Sequence, residues 1–333
     1  MINLIKKYTS AFSVSGFEGN LADIIISDVK PYADKVYTDP MGNVIAFKKG
    51  KDSTKRIMYA AHMDEIGFVV THIDEKGFIR VDKVGGINAI ASSYNEVVFQ
   101  NGTKGVIIIE EQTKAADITV KKFVVDIGAK TKSQAEKKVS IGDFLSLSQR
   151  FTKLQNGRYA AKAFDDRIGC AILTYALMQT TAFAYDTYYV YTVQEELGCR
   201  GSKAASNAIL PTYGIATDIT PANDVPGAIT GNIKLGGGAA IKLKDNSVIC
   251  SRLIIDTLTS LAEKHKIKYQ NEVLTFGGTD TSSMQIAGAG AYAGCISLPV
   301  RNTHTPVETF DINDFKSCVE LFKRITEEGI NKI

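Results

Sequence analysis

The feature that most constrains the fold is the alternation of strand-like and helix-like runs that begins at Asn156. Short apolar runs are followed by runs whose apolar residues recur every three or four positions. This alternation is typical of an α/β domain with a mainly parallel sheet, and the residues before position 67 share it. The predicted strands are 185–193, 213–217, 238–242 and 291–297, and the predicted helices are 166–178, 202–209, 253–264, 281–287 and 311–328.

A different pattern separates these two α/β-like stretches. From Gly67 to about Leu154, short β-rich runs are divided by turn signals such as Asn101–Gly102, and only residues 133–138 indicate a helix. This is the pattern of a small β-rich module. We therefore predict one α/β domain made of residues 1–66 and 156–333, interrupted by a β-rich domain of residues 67–155.

Composition excludes several classes of protein. Lys and Arg number 39 and Asp and Glu 36, so the formal charge of +3 argues against a nucleic-acid-binding protein with a broadly basic surface. The longest apolar runs, such as 106–109, are too short to cross a bilayer, and the opening MINLIKKYTS does not resemble a signal peptide. Five cysteines without a CxxC pair do not indicate a disulfide framework. We therefore expect a cytoplasmic protein that binds neither nucleic acid nor membrane.

Polar side chains cluster in five short segments, four of which follow directly after a predicted strand. In an open α/β sheet, ligands bind at the carboxyl ends of the strands, so these side chains are expected to meet at one edge. Two imidazoles and several carboxylates together suit divalent ions such as zinc or cobalt. The candidates are His62 and Asp64 in AAHMDEIG, Asp165 and Asp166 in FDDRIG, Glu195 and Glu196 in VQEELGCRGS, Asp218 in ATDIT, and His304 in RNTHTPVE.

Two metal ions fit this set better than one. Five candidate ligands exceed the three that a typical catalytic zinc takes from a protein, and a shared carboxylate can bridge two ions about 3.5–4 Å apart. The segments lie too far apart in sequence for an HExxH helix, so tertiary folding must assemble the site. Of the adjacent pair Glu195 and Glu196, one would bind metal while the other takes the proton of the attacking water.

Other interpretations stay open for each residue by itself. His62 could be a structural histidine, and Glu195 with Glu196 could be a solvated pair. Asp165 or Asp166 could cap a helix, and we favour metal binding for Asp165 and a structural role for Asp166. A glycoside hydrolase that works with paired carboxylates is the alternative function, although it leaves both histidines without a role. A non-catalytic assembly protein is a third candidate.

Taken together, the segments AHMDEIG, DDRIG, EELGCRGS, DIT, GGTD and RNTHTPVE resemble those of the glutamyl-aminopeptidase-like tetrahedral aminopeptidases, some of which carry an endoglucanase label. The resemblance covers essentially the whole chain. It implies a zinc-exopeptidase-like α/β sandwich in which residues 67–155 form a dimerisation domain. It also implies a homo-oligomer, a dodecamer built from dimers, that acts on short peptides.

The same resemblance implies a role for each candidate ligand. His62, Asp165 and Asp218 would hold one divalent ion. Asp165, Glu196 and His304 would hold the other, so that Asp165 bridges the two. The resemblance leaves open whether the native ions are zinc, cobalt or manganese.

Two further carboxylates receive catalytic roles from the resemblance. Glu195 would be the general base, and Asp64 would orient His62. The implied activity is the metal-dependent release of N-terminal residues from short peptides. Which N-terminal residue is preferred is not predicted.

Overall fold

The computed structural model describes residues 1–148, 150–228 and 231–330. Within those residues, eleven strands form one large sheet and six strands form a closed barrel. The predicted α/β class with an inserted small β-rich unit is therefore confirmed. The large sheet contains β1 (Lys35–Thr38), β2 (Val44–Lys48), β3 (Asp52–His62), β10 (Thr152–Lys153), β11 (Arg158–Ala161), β12 (Tyr185–Thr192), β13 (Tyr213–Pro221), β14 (Ala239–Lys244), β15 (Tyr269–Val273), β16 (Tyr292–Arg301) and β17 (Glu308–Asp311). The barrel contains β4 (Gly67–Ile73), β5 (Ile79–Val84), β6 (Glu96–Phe99), β7 (Lys104–Ile109), β8 (Phe123–Asp126) and β9 (Phe144–Leu147).

Helices cover both faces of the large sheet. The α-helices of the described residues are α1 (Ile2–Ser10), α2 (Gly19–Val29), α3 (Ala89–Ser92), α4 (Lys132–Glu136), α5 (Phe164–Gln179), α6 (Arg200–Ile209), α7 (Arg252–Lys264), α8 (Thr281–Gln285) and α9 (Ile312–Glu328). Because successive side chains of a strand point to opposite faces, Ile57, Tyr59 and Ala61 of β3 enter the larger core with α1, α2, α5, α7 and α9. Met58 and Ala60 enter a smaller core with α6 and α8. None of these helices is long and apolar enough to cross a membrane.

The central strands run parallel and bring their carboxyl ends to one edge of the sheet. The strand order is β1-β2-β12-β3-β13-β16-β17-β11-β10, with β14 beside β16 and β15 beside β14. β3 is parallel to β12 and to β13, and β13 is parallel to β16. The residues at the ends of these strands therefore meet at the edge where open α/β sheets bind ligands.

Several strands are longer than the sequence predicted, and the extension of β13 concerns the candidate site. The expected strand 213–217 placed Asp218 in the segment that follows it, but β13 continues through Pro221. That prediction was wrong because β13 stays paired with β16 along its whole length, from Tyr213 opposite Tyr292 to Pro221 opposite Val300. Asp218 is therefore fixed by the sheet rather than by a loop.

The inserted barrel has a hydrophobic core of its own. Phe68, Val97 and Phe123 pack at its centre with further apolar side chains drawn only from the segment between β4 and β9. The predicted turn at Asn101–Gly102 joins β6 to β7, with Gly102 at a φ of 85° that favours glycine. The sequence did not predict the four-residue α3, since one turn of helix gives no detectable periodicity. The domain limits at residues 67 and 155 remain a prediction. β10 lies inside the range assigned to the insertion, yet it pairs with β11 in the large sheet.

Candidate active site

The polar candidates meet at the carboxyl edge of the parallel strands. His62 is the last residue of β3, and Glu195 and Glu196 lie two and three residues beyond Val193, just after β12. Asp165 lies in the first turn of α5, and His304 lies in the connection between β16 and β17. The structure thus brings together side chains from segments that the sequence separates by more than 200 positions.

Asp165 lies between the two imidazoles. Its Oδ1 is 3.0 Å from His62 Nε2, and its Oδ2 is 3.1 Å from His304 Nε2. His304 Nε2 is also 3.4 Å from Glu196 Oε1, and His62 Nε2 is 3.9 Å from Glu195 Oε2. The two oxygens of one carboxylate therefore face two different imidazoles, as a bridging ligand requires.

The other ring nitrogen of each histidine faces a backbone carbonyl. His62 Nδ1 is 3.1 Å from the carbonyl oxygen of Asp64, and His304 Nδ1 is 2.7 Å from that of Gly86. Since a carbonyl oxygen only accepts, each Nδ1 must carry the hydrogen and donate it. This arrangement fixes the ring orientation and leaves each Nε2 directed at the carboxylates.

Asp64 connects the first histidine to the glutamate pair. Its buried carboxylate accepts the backbone N–H of Glu195 at 3.0 Å, that of Glu196 at 3.1 Å, and the hydroxyl of Ser15 at 2.5 Å. The Asp64 carboxylate also lies 3.4 Å from His62 Nδ1. Asp64 therefore orients His62 mainly through its own backbone carbonyl, and its carboxylate holds the turn that carries both glutamates.

The site holds more buried carboxylates than cations. Burial raises the pKa of the Glu195 and Asp218 carboxyls well above their usual values, with neighbouring carboxylates contributing. Burial together with the Asp165 charge raises the pKa of Glu196 to about 7. Burial lowers the pKa of His304, but the Asp165 carboxylate outweighs it and raises that pKa to about 11. All four pKa values are raised, so this electrostatic environment favours the binding of protons or of other positive charge.

Groups of possible metal ligands follow from the distances between their ligand atoms. His62, Asp166 and Asp218 form one group within 4.8 Å, and His62, Asp165 and Glu196 form another. Asp166 is joined to Asp165 by a cis peptide bond. One Asp166 oxygen accepts the N–H of Gly169 at 3.2 Å, and the other accepts the N–H of His62 at 3.3 Å. Both oxygens thus already receive backbone hydrogens, which agrees with the structural role expected for Asp166.

Sequence reasoning missed two buried carboxylates and a glycine at this site. Glu308 accepts the backbone N–H of Asp165 at 3.0 Å and that of His304 at 2.9 Å, so it holds both residues. Asp280 accepts the Thr192 hydroxyl at 2.6 Å beside the glutamate pair. Both lie in the quoted segments RNTHTPVE and GGTD, which was the available signal. Nothing in the sequence pointed to Gly86, whose carbonyl reaches His304 from the barrel side.

A cavity of about 540 Å³ opens beside these groups. Its polar wall includes the carboxylates of Asp165, Glu195, Glu196 and Asp218. The lining also includes the apolar side chains of Leu274 and Phe276, among others. The cavity has the size and mixed lining of a pocket for a small organic ligand.

Comparison with known proteins gives a consistent result. The family model described as M42 glutamyl aminopeptidase matches residues 42–321. A putative aminopeptidase of Acetivibrio thermocellus is 41% identical, covering 96% of this chain and 97% of the relative. A lysyl aminopeptidase of Pyrococcus furiosus is 36% identical, covering 98% and 96%.

Solved structures have the same fold. An aminopeptidase of the archaeon Desulfurococcus kamchatkensis superposes with a TM-score of 0.95 at 36% identity, covering 99% of this chain and 95% of that one. The Pyrococcus horikoshii TET1 peptidase, described as able to assemble into a tetrahedron or a large octahedral shell, gives 0.89 at 33% identity, covering 98% and 99%. A Thermotoga maritima protein described as an endoglucanase gives 0.84 at 34% identity, covering 98% and 97%.

Proposed function

The chain belongs to the M42 glutamyl aminopeptidase family, and from that premise we propose a two-metal aminopeptidase that releases N-terminal residues from short peptides. Family membership supports the aminopeptidase activity itself. The observation that supports the two-metal mechanism is the position of Asp165, whose two oxygens face the imidazoles of His62 and His304. Glu195, which lies beside this arrangement, is the proposed general base.

The donor set fits two divalent ions. His62, Asp165 and Asp218 would hold one ion, and Asp165, Glu196 and His304 would hold the other. Imidazole nitrogens and carboxylate oxygens are suitable ligands for zinc, cobalt and manganese, of which zinc and cobalt are preferred here. Several buried carboxylates lie close together here, and bound cations would compensate their negative charge. When bound, two such ions acidify water and polarise the carbonyl of the scissile peptide bond.

The chain's own residues provide the proton transfers and the orientation. Glu195 takes a proton from the attacking water and passes it to the leaving amine. Asp64 positions Glu195 by accepting its backbone N–H, and it positions His62 through its carbonyl oxygen. Membership of an aminopeptidase family supports removal of terminal residues over internal cleavage.

The glycoside hydrolase alternative is not retained. The matching family model and the two curated relatives described above are aminopeptidases. In addition, both histidines contact the central carboxylates, and a mechanism based on two carboxylates alone gives these imidazoles no role. The name endoglucanase therefore describes the Thermotoga protein and carries no activity over to this chain.

We further propose that the chain assembles into a homo-oligomer through its barrel, as a dodecamer built from dimers. Four large apolar side chains in this part of the chain, Ile90, Tyr94, Val106 and Ile141, are between 42% and 73% exposed. Exposed apolar groups of this size are typical of interaction surfaces. The cytoplasmic location also stays a prediction, which the five free thiols support.

The barrel interface is tested by replacing Ile90 and Tyr94 together with Asp and measuring the mass by light scattering. Two buried charges should disrupt an apolar interface, so we expect a smaller particle than the wild type forms. Ile249→Asp is the matched control, because Ile249 is 71% exposed but lies outside the barrel. A double variant with the wild-type mass would contradict the proposed interface.

The general base is tested with Glu195→Gln. The amide keeps the shape of the side chain but accepts no proton, so turnover of amino-acyl p-nitroanilides should fall by roughly 10²–10⁴-fold. When two ions per chain are supplied, elemental analysis should find both of them bound, as in the wild type. Glu111→Gln is the control for the loss of one carboxylate, since Glu111 is exposed on the barrel side. Unchanged turnover in Glu195→Gln would refute the role of Glu195.

A further inference from the structure

A thiol lies next to the proposed general base. Cys199 precedes α6 with a φ of 54°, and its Sγ donates a hydrogen bond to Glu195 Oε1 at 3.1 Å. Cys199 also lines the cavity, whereas Cys170, Cys250, Cys295 and Cys318 are buried. Cys199 is therefore the cysteine of this chain that a ligand in the cavity can reach.

A buried carboxylate completes the group. Asp280 is only 3% exposed, and its Oδ2 accepts the hydroxyl of Thr192 at 2.6 Å. Its Oδ1 is fully buried without a well-formed hydrogen bond among the described residues, although the Ser202 hydroxyl also interacts with the Asp280 carboxyl. An acceptor in that condition costs free energy unless a donor or a cation approaches it. One ligand atom each from Glu195, Cys199 and Asp280 lies within 4.8 Å of the other two.

We infer that Glu195, Cys199 and Asp280 form a third cation site, separate from the two-ion centre, that takes a zinc-like divalent ion. Zinc ligands at about 2.3 Å for sulfur and about 2.0 Å for oxygen are separated by roughly 3.5 Å in a tetrahedron. The observed Cys199–Glu195 separation of 3.1 Å and the 4.8 Å limit for the group bracket this value. One thiolate and two carboxylates are a donor set that borderline and soft cations accept.

The site binds more weakly than the two-ion centre. It offers one ligand atom from each of three side chains and no imidazole, and its thiol must lose a proton to the solvent when the ion binds. The Cys199 Sγ donates its hydrogen to Glu195 Oε1, so an ion can bind there only when this proton leaves. Zinc therefore fills this site only after the two-ion centre is saturated.

Occupancy would inhibit the enzyme. A Glu195 carboxylate that binds an ion cannot also accept a proton from water, so excess zinc should stop turnover while leaving the two-ion centre intact. This consequence rests on the proposed function, in which Glu195 is the general base. The existence of the site does not, because ion binding can be measured without any substrate.

The test is a titration of the full-length, metal-loaded protein with Cd²⁺, whose thiolate complexes absorb in the ultraviolet. We expect a thiolate absorption and a third bound ion per chain by equilibrium dialysis in the wild type. Cys199→Ala should lose the absorption and bind two ions, and Asp280→Asn should weaken the third ion by at least roughly 10–100-fold. Ser282→Ala is the matched control, since Ser282 lines the same cavity outside the group.

The outcomes separate the two proposals. A thiolate absorption that survives Cys199→Ala, or a wild type that never binds a third ion, overturns the third site, whether or not the protein is a peptidase. A third ion bound through Cys199 in a protein without peptidase activity supports the site and refutes the proposed function. In an active enzyme, inhibition by excess zinc should require at least about tenfold more zinc in Cys199→Ala than in the wild type.

Discussion

The two histidines of the site occupy equivalent positions around Asp165 but are held by different parts of the molecule. His62 is 2% exposed, ends a central strand, and donates to the carbonyl of Asp64 two residues away. The side chain of His304 is about a third exposed, and the residue lies in a loop at a φ of 57°. It donates to the carbonyl oxygen of Gly86, which lies 218 positions earlier and two residues beyond the barrel strand β5.

The two halves of the site are therefore organised by different means. The His62 half is built by the sheet, because strand pairing and a local carbonyl determine the position of the ring. The His304 half depends on the barrel, because Gly86 orients the ring, and on Glu308, which holds the loop backbone. A change at the barrel is therefore expected to weaken the proposed ion at His304 more than the proposed ion at His62, with which it shares the bridging Asp165.

The largest effects should come from removing either imidazole. The two variants should lose similar ion affinity but different amounts of folding stability. Replacing a residue that only hydrogen-bonds to a metal ligand typically lowers metal affinity by roughly 10–100-fold. Because His62→Ala and His304→Ala each remove a proposed ligand itself, we expect a larger loss of ion affinity in both. In metal-free protein, His62→Ala should lower the free energy of unfolding by about 1–3 kcal/mol, because it leaves buried acceptors without a donor. His304→Ala should cost less, because the His304 side chain is about a third exposed and water can enter the space that it leaves.

Calorimetric titration and thermal unfolding measure these two quantities. Equal losses of stability in the two variants would contradict the idea that the sheet holds His62 more firmly than the loop holds His304.

An intermediate effect is expected from Glu308→Gln. The amide offers one acceptor oxygen where the carboxylate offered two, so either Asp165 or His304 loses a hydrogen bond to its backbone. Ion affinity should fall by roughly 10–100-fold. Glu320→Gln, on the outer face of α9, controls for the loss of one negative charge. The idea that Glu308 positions the two residues fails if both variants bind the ions equally well.

The smallest effect, and the sharpest test of the barrel's contribution, is Gly86→Ala. A Cβ at this position would lie 2.8 Å from His304 Nδ1, so the ring must shift by a few tenths of an ångström. We expect a loss of ion affinity below about tenfold, larger for the proposed ion at His304 than for the one at His62. Gly19→Ala is the control, because a Cβ there would meet no atom within 4 Å. Loss of both ions to the same degree would show that the two halves are not independent.

Much of the architecture could be predicted from local patterns. Alternation of strand and helix signals identified the α/β class, and the change to short β-rich runs identified the insertion. Residues such as His62 and Glu195 could be recognised because they follow apolar strands whose ends share an edge in a parallel sheet. The extension of β13 around Asp218 could not be predicted, because its pairing with β16 depends on a partner more than 70 residues away.

The available side chains and the segments that carry them can be read from the amino-acid order, because hydrophobic periodicity and side-chain chemistry are local properties. Folding places Asp165 between two imidazoles, lets Glu308 accept the backbone N–H groups of Asp165 and His304, and brings the Gly86 carbonyl to His304. The physical reason is that hydrogen bonds and buried charges act over a few ångströms, and folding alone sets those distances between remote parts of the chain.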